Sequence, residues 1–444
     1  MSLDAVELRR KGLHIGMGLF ALLLRCLVWQ EAVLAALAAL AFNLFVLPRK
    51  GGGALLRPRD IERGFPIGIL LYPIVVLVLI LLFRHHLEIA AAGWGFLAFG
   101  DGFATLAGKA IGGLRLPWNR EKSWAGLVAY ILCGAAGAAG VWAFVADRPL
   151  DSGLLTIFAL AALAGAIVES LPSELDDNIL PPLVGAGVVF VLTAARPDWV
   201  ALTSAEFLRN AGKGAALNLA VALATGILGM VRPSGAAAGF VLGTLVFACG
   251  GSHLYALLWI FFVLGTISTR FGRKRKEALG KAEEAGGRRG AANVLANVSV
   301  PAFFCVAAAL DPARRHLYLL GAAAALATAL MDTVGTEVGQ AVRSRTVLLP
   351  DFHPVPPGTD GAVSVAGTLA GLVAGGFVAV AALDLAVVAP LGALFTVAGA
   401  VVGTVTESLL GRAGAPWRLS NGHVLNFLNT LVGALTAIWL GGRF

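Results

Sequence analysis

Charge is what this sequence has least of. Only 14% of its 444 residues are Asp, Glu, Lys or Arg, against 58% hydrophobic, where a soluble domain carries about 25% charged residues. That scarcity excludes a soluble globular enzyme, a solvated disordered segment and a nucleic-acid binder, which needs a dense basic surface. Cysteine is scarce too. Cys26, Cys133, Cys249 and Cys305 fall in or beside apolar runs and form no C-x-x-C pair, so neither a disulfide framework nor a thiolate metal site is expected. The sequence also has no G-x-x-x-x-G-K-[ST] loop and no protein-kinase signature set. A nucleotide would have to be held by metal, basic side chains and helix ends instead.

What fills the chain is apolar runs of about 17–25 residues, each long enough to cross a bilayer as a helix, with 56 glycines to let helices approach closely. The pattern predicts an all-α, polytopic integral membrane protein of about 14–15 transmembrane helices in two bundles. Spans are expected near 13–29, 31–47, 66–83, 88–108, 124–145, 153–171, 179–195, 212–231, 234–250, 253–269, 292–310, 317–339, 361–383, 386–408 and 423–441. The polar stretch 196–212 is the expected boundary between a domain at 1–200 and one at 205–444, with 204–212 lying along the interface. A charged insertion occupies 270–291, and 343–360, with four prolines, is expected as loop. Arg9, Arg10 and Lys11 before an apolar run have the look of a signal peptide, but the next run follows so closely that a retained first span is expected.

The net charge of +8 is unevenly placed. With the N-terminus inside, 25 Lys/Arg fall in cytoplasmic loops and 8 on the other side, Arg25 being counted within a span, as the positive-inside rule requires. The resulting topology puts every polar cluster at a cytoplasmic span end. That suits an enzyme joining a soluble substrate to a lipid one, whereas a transporter would hold polar groups near the midplane.

In the first half, Asp101 interrupts an apolar span in Gly100-Asp101-Gly102-x-Ala104-Thr105-x-x-Gly108-Lys109. A carboxylate there is costly unless paired, solvated or functional. Thr105, Gly108 and Gly112 share its helix face, small enough for a phosphate or metal to approach the backbone. Leu116-Pro117-Trp118-Asn119-Arg120-Glu121-Lys122-Ser123-Trp124-Ala125-Gly126 follows, with Arg120 and Lys122 as phosphate-binding cations and Ser123 as a helix cap. Glu169, Glu174, Asp176 and Asp177 then crowd a loop without Lys or Arg, so cations must come from elsewhere, either Mg²⁺ or the basic residues above. His14, after Arg10-Lys11, is expected to be a packing histidine.

Together, the Arg-Lys-x-x-His start, Arg63-Gly64, G-D-G-x-A-x-x-x-G-K, L-P-x-N-x-x-K-S-W-A-G and V-E-x-x-x-x-x-L-D-D-N, in order over about 5–195, resemble the phytol kinase branch of the polyprenol kinases. That family is related to dolichol kinase and more distantly to CDP-diacylglycerol synthase. The resemblance implies CTP-dependent, Mg²⁺-assisted phosphorylation of an isoprenoid alcohol.

The second half carries Arg232-Pro233-Ser234-Gly235, Arg288-Arg289-Gly290-x-x-Asn293-Val294-x-x-Asn297, Asp332-Thr333-x-x-Thr336-Glu337-x-Gly339, Gly358-Thr359-Asp360-Gly361-Ala362-Val363-Ser364 and Glu407-Ser408-Leu409-Leu410-Gly411. These resemble, over about 212–441, the phytyl-phosphate kinase family, whose animal members are transmembrane protein 19-like. Glu407 stands where that resemblance implies Asp. The halves also echo each other. Asp101 and Asp332 each have Thr four and Gly seven residues on, and Glu169-Ser170-Leu171 matches Glu407-Ser408-Leu409.

The expected function is therefore a bifunctional kinase that converts a phytol- or geranylgeraniol-type alcohol to monophosphate, with CTP as the donor, and then to diphosphate. Catalytic candidates are Asp101, Glu169, Asp177, Asp332, Glu337 and Glu407. Phosphate or nucleotide candidates are Lys109, Arg120, Lys122, Ser123, Arg232, Ser234, Lys276, Arg288, Asn293, Asn297, Thr359 and Ser364. Metal candidates are Asp101, Asp176, Asp177, Asp332 and Asp360. The expected setting is a bacterial-type inner membrane with sites facing the cytoplasm and no nucleic-acid partner. Two alternatives are a CTP-dependent lipid-phosphate cytidylyltransferase and a non-catalytic lipid-phosphate carrier.

Overall fold

The structure, a computed structural model, describes residues 5–47, 67–171, 178–195, 199–278, 289–342, 344–359, 361–417 and 422–443. Among the described residues, eleven helices are long and apolar enough to cross a membrane. Two shorter apolar helices, Ile69–Leu82 and Leu180–Ala194, fall where further spans are expected. The chain divides into two compact units, 1–170 with 175–194, and 171–174 with 195–444.

The first unit runs α1 (Ala5–Met17), a 3₁₀ helix (Gly18–Arg25), α2 (Trp29–Ala41), a π turn (Phe42–Val46), α3 (Ile67–Leu82), α4 (Leu87–Gly95), a second π turn (Phe96–Asp101), α5 (Gly102–Ala110), α6 (Trp124–Ala146), α7 (Ser152–Ser170) and α8 (Leu180–Ala195). The first expected span is thus α helix passing into 3₁₀ helix. Arg25 is not in mid-span. It sits at the end of that helix, bridging Asp147 at 2.8 Å and the Phe144 carbonyl at 3.1 Å, where a guanidinium reaches both a carboxylate and the orphan carbonyls of a helix C-terminus.

The second unit runs α9 (Ala205–Ile227), α10 (Pro233–Leu245), a π turn (Val246–Gly250), α11 (Ser252–Arg270), α12 (Arg273–Ala278), α13 (Ala291–Leu310) and α14 (Arg315–Ala341). Strands β1 (Thr346–Leu348), β2 (His353–Pro354) and β3 (Ala362–Ser364) follow, then α15 (Val365–Asp384), α16 (Pro390–Trp417) and α17 (Gly422–Gly441). Residues 204–212 are not a separate interfacial helix. Ser204 accepts from the Phe207 N–H at 3.1 Å and caps α9, which continues unbroken through 212 into the residues expected as a span. The proline-rich loop carries a small antiparallel sheet of order β2-β1-β3, with Thr346 opposite Ser364 and Leu348 opposite His353.

The two spans that carry the intramembrane aspartates, Leu87–Ala110 and Pro312–Ala341, are the most buried candidate spans, at 72% each. Around α14 pack α11, α13, α15, α16 and α17. Small residues allow the approach. A Cβ on Gly367 would stand 2.4 Å from the Gly335 carbonyl oxygen, and one on Gly371 2.7 Å from that of Met331, so α14 and α15 touch backbone to backbone. Gly367→Ala is expected to cost about 1–3 kcal/mol by overpacking, read as a lowered Tm in detergent. An unchanged Tm would contradict this helix contact.

Candidate functional site

In the first unit, a π turn delivers Asp101 to the core. Such turns interrupt a helix to aim particular side chains. Asp101 is only 4% exposed. Its Oδ2 accepts from Lys11 Nζ at 2.7 Å and lies 3.2 Å from His14 Nε2. His14 Nε2 also stands 2.9 Å from the Leu97 carbonyl. A carbonyl only accepts, so this nitrogen carries the proton. Tyr72 holds the ring from the side. It meets His14 edge-on at 4.8 Å between ring centres and donates to the His14 carbonyl, while Trp94 Nε1 donates to the Tyr72 hydroxyl. His14 is thus part of the constellation, not merely a packing histidine. Lys11, absent from the expected site, is its main cation.

These groups form the polar end of a cavity of about 650 Å³ among α1, α2 and α3, lined almost wholly by apolar side chains. That volume lies within the range of small-molecule pockets. Arg10, Lys11, His14, Tyr72 and Asn43 gather at one end, and Leu24, Leu27, Ala32 and Ile80 line the other.

The remaining first-unit candidates cluster nearby. Lys122 Nζ donates to Glu169 Oε1 at 3.0 Å and lies close enough to act on the Asp101 carboxylate through space. Trp118 Nε1 and Asn119 Nδ2 donate to the Ser170 hydroxyl and carbonyl, fixing the 116–123 loop on the end of α7. Ser123 caps α6 by accepting from the Gly126 N–H at 3.2 Å. Its hydroxyl is therefore committed to the helix, and what it presents outward is a helix N-terminus. Arg120 is exposed. Lys109, expected on phosphate, pairs instead with Glu7. Burial pushes the Glu7 carboxyl up, but Lys109 and Arg10 outweigh it and hold it below the usual carboxylate range. Asp176 and Asp177 lie outside the described residues.

In the second unit, the carboxyls of Asp332 on α14 and Glu407 on α16 come within hydrogen-bonding reach, with Thr336 and Asn429 also contacting Asp332. Asn429 Nδ2 donates to Glu407 Oε2. Asn429 is fully buried, and its Oδ1 has no partner among the described residues. Among the described residues no group of three or more His, Cys, Asp or Glu is arranged to hold a metal. However, Mg²⁺ takes oxygen donors, one or two carboxylates completed by water and phosphate oxygens. Two facing carboxylates beside an orphaned amide oxygen fit that demand.

Glu337 and Lys276 pair with each other. Lys276 Nζ donates to Glu337 Oε2 and to the Thr269 carbonyl, and both side chains are buried. Thr359 is exposed and closes a turn on the Pro356 carbonyl. Ser364 caps α15 by accepting from the Gly367 N–H at 3.1 Å. Asp360 and Arg288 lie outside the described residues. Next to the latter, Arg289 is buried. Its guanidinium stands 5.2 Å from the Phe261 ring centre, close to Gly265, where a Cβ would come within 2.6 Å of Nη2. The Arg232 N–H donates to the Arg289 carbonyl, and Ser234 Oγ accepts from the Ala291 N–H. Asn293 and Arg289 line a small apolar pocket with Asn218 and Tyr255, and Asn297 Nδ2 donates to the Asn293 carbonyl.

The two units repeat one local device. In each, a Gly seven residues after the Asp (Gly108, Gly339) faces the hydroxyl of a capping Ser (Ser123, Ser364), with Cβ-to-Oγ separations of 3.1 and 2.8 Å. Three residues after each Ser, a Gly (Gly126, Gly367) faces the carbonyl three residues after the Asp (Ala104, Gly335). Each Ser is also strand-paired before its helix, Arg115 with Ser123 and Thr346 with Ser364. One difference matters. The residue before the cap is Lys122 in the first unit and Val363 in the second. Lys122 neutralises Glu169, whereas Val363, at the corresponding place in the second unit, carries no charge to offer Glu407.

The integral membrane protein DUF92 family matches residues 216–434. An uncharacterized membrane protein of Synechocystis sp. is 37% identical over 211 residues, covering 47% of this chain and 82% of that protein. The chloroplastic protein VTE6 of Arabidopsis thaliana is 32% identical over 299 residues, covering 66% of this chain and 83% of its own length. A chloroplastic probable phytol kinase of Triticum aestivum is 35% identical over 132 residues, 28% of this chain and 44% of that protein. The chain therefore spans less than half of that kinase's length. No solved structure matches the chain.

Proposed function

From the premise that the chain belongs to the DUF92 family of integral membrane proteins, we propose that it is an isoprenoid alcohol kinase. In this reading the first unit phosphorylates a phytol-type alcohol and the second phosphorylates the resulting monophosphate. The observation that carries this is the apolar cavity of about 650 Å³ ending on Lys11 and His14, both of which address Asp101. An alcohol with one long apolar chain would bury the chain there and bring its hydroxyl to the polar end. The relative named as a probable phytol kinase agrees with that acceptor.

Phosphoryl transfer needs positioning and charge neutralisation more than covalent chemistry. Lys11 and His14 would fix the Asp101 carboxylate, and Asp101 would orient the acceptor hydroxyl. Lys122 and the capped N-terminus of α6 would receive phosphate oxygens of the donor, for which CTP is the nucleotide implied by resemblance. In the second unit Asp332, Glu407 and Asn429 Oδ1 would hold Mg²⁺, which when bound supplies positive charge to the phosphates. The α15 N-terminus would play the role of the α6 N-terminus. Tethering both steps in one chain raises the effective concentration of a membrane-bound intermediate at the second site. The sites are proposed to face the cytoplasmic side, where the Lys/Arg excess lies.

The test is product analysis of the purified protein with phytol, Mg²⁺ and labelled CTP. Label from the γ position should enter lipid mono- and diphosphate with release of CDP. Label entering from the α position with pyrophosphate release would replace the kinase by a cytidylyltransferase. Binding of the lipid with no transfer of either label would leave a carrier.

A further inference from the structure

A charged side chain buried in a membrane bundle is costly and marks a site by default. Arg289, two residues before α13, is 8% exposed. Its backbone is held in place. The Arg232 N–H donates to its carbonyl at 3.0 Å, and Gly235, in the first turn of α10, lies so close to that carbonyl that a Cβ would stand 2.3 Å from it. The side chain runs to α11. There the guanidinium stands 5.2 Å from the Phe261 ring centre, and Nη2 occupies the notch that Gly265 leaves. A ring and a missing side chain thus seat the guanidinium on the wall of the pocket among α9, α10, α11 and α13.

That pocket encloses about 100 Å³ and is mostly apolar, with Phe240, Leu258 and Val294 on its walls. Among the described residues that line it, Arg289 is the charged one. Other polar groups there bond within the protein: Tyr255 donates to Asn218 Oδ1 at 2.9 Å, Asn218 Nδ2 to the Gly214 carbonyl and Thr225 to the Val221 carbonyl. Arginine keeps its charge even when buried, and its planar fork matches two oxygens of a phosphate. Half-buried Asn293, four residues on, lines the same pocket and brings an amide donor. The position within the unit fits as well. The C-terminal ends of α11 and α14 meet, Gly272 against Ala341. Gly265 lies five residues before the end of α11 and Asp332 nine before the end of α14, so the guanidinium and the Asp332–Glu407 pair belong to the same end. In the first unit, too, the cavity lies among the helices that precede the span of the aspartate.

We propose that this pocket is the acceptor site of the second unit, that it takes the phosphate end of a single-chain lipid phosphate monoester, and that Arg289 is the residue that tells monophosphate from alcohol. This rests on the reading of the second unit as a monophosphate kinase. It adds the acceptor site, which Asp332 and Glu407 do not supply, since two carboxylates repel a phosphate dianion unless a metal stands between them. A volume of about 100 Å³ is below the ~300–1,000 Å³ of pockets that enclose a whole small molecule. The pocket therefore holds the phosphate and the first carbons, while the rest of the chain stays with the bilayer. Selection falls on the headgroup, because a site built around a buried polar group rejects an analogue that leaves that group unanswered.

The experiment uses the full chain purified in detergent, with labelled phytyl monophosphate as the probe, in wild type, Arg289→Gln, Arg289→Lys and Gly265→Ala. Retention is measured without nucleotide, and KM and kcat for conversion to diphosphate with it. Only retention that Arg289→Gln abolishes is assigned to this pocket. Gly265→Ala keeps the arginine but puts a Cβ where Nη2 lies. The clash falls on the far end of a flexible side chain, so the guanidinium shifts and the fold persists. Arg289→Gln is expected to lower retention and raise KM at least tenfold, with kcat changed less than threefold. Gly265→Ala is expected to raise KM at least threefold at unchanged Tm, and Arg289→Lys, with the charge but not the fork, to fall between wild type and Arg289→Gln. Excess phytol or inorganic phosphate should displace less than a tenth of the probe. Unchanged retention and KM in Arg289→Gln overturns the proposal. So does a wild-type KM in Gly265→Ala together with a lowered Tm in Arg289→Gln, which would make the arginine a packing residue. Displacement by inorganic phosphate alone overturns the lipid assignment. Retention that depends on Arg289 in a wild type that forms no diphosphate overturns the kinase reading and leaves the site standing.

Discussion

Lys11→Met lowers the unfolding free energy by about 3–5 kcal/mol, the expected loss when one partner of a buried ion pair is removed and the other stays charged. Both side chains are 6% exposed, so water cannot take over the role of the ammonium, and His14 at 3.2 Å is charged only when protonated. The companion variant Lys11→Met/Asp101→Asn recovers part of that loss, because no unpaired charge remains. Chemical unfolding in detergent distinguishes the two, and equal destabilisation by the single and double variants would contradict a pairing energy between them. Neither variant is expected to phosphorylate an alcohol. On the proposed reading the pair would both hold the first unit together and orient the acceptor, so stability and activity are expected to fall together at Lys11.

Asp332→Asn does the reverse. Two carboxyls that face each other in the second unit repel when both are ionised, and Val363 stands where Lys122 neutralises Glu169 in the first unit. Removing one charge relieves that repulsion. Asp332→Asn is therefore expected to leave stability within about 1 kcal/mol of wild type, or to raise it, while lowering conversion of monophosphate to diphosphate by about 10²–10³-fold or more. Glu407→Gln should behave alike. Paired Tm and turnover measurements test this. An Asp332→Asn variant that is strongly destabilised yet fully active would show that the pair is a structural network.

How far the sequence spoke depends on the reach of each interaction. Membrane helices are legible because a bilayer demands long apolar runs, and Asp101, Asp332 and Glu407 are legible because a charge in such a run stands out. Pairings are not. Lys11 and Asp101 lie 90 residues apart, and Lys276 and Glu337 61 apart. No local rule says which distant cation reaches which acid. Lys276 and Glu337 therefore read separately, as a phosphate-binding cation and a catalytic acid, where the structure pairs them with one another, and His14 read as packing because its partner was out of view. The capping serines had a signal that the spacing of acids hides: Ser123-Trp124-Ala125-Gly126 and Ser364-Val365-Ala366-Gly367 share S-x-A-G. The glycine three residues after each serine makes room for the preceding helix. The break in the first span, where α1 tightens to 3₁₀ helix at Gly18, has no period that a hydrophobic run would show.

The central claim is two sites working in series, and the most direct measurement supplies each single-site variant with both lipid substrates. With phytol, Asp101→Asn should yield nothing; with phytyl monophosphate it should still form diphosphate at the wild-type rate. Asp332→Asn should convert phytol to monophosphate and stop. If both variants lose the same step, or if Asp101→Asn fails with supplied monophosphate while remaining folded, the two carboxylates serve a single site and the account of two successive phosphorylations is wrong.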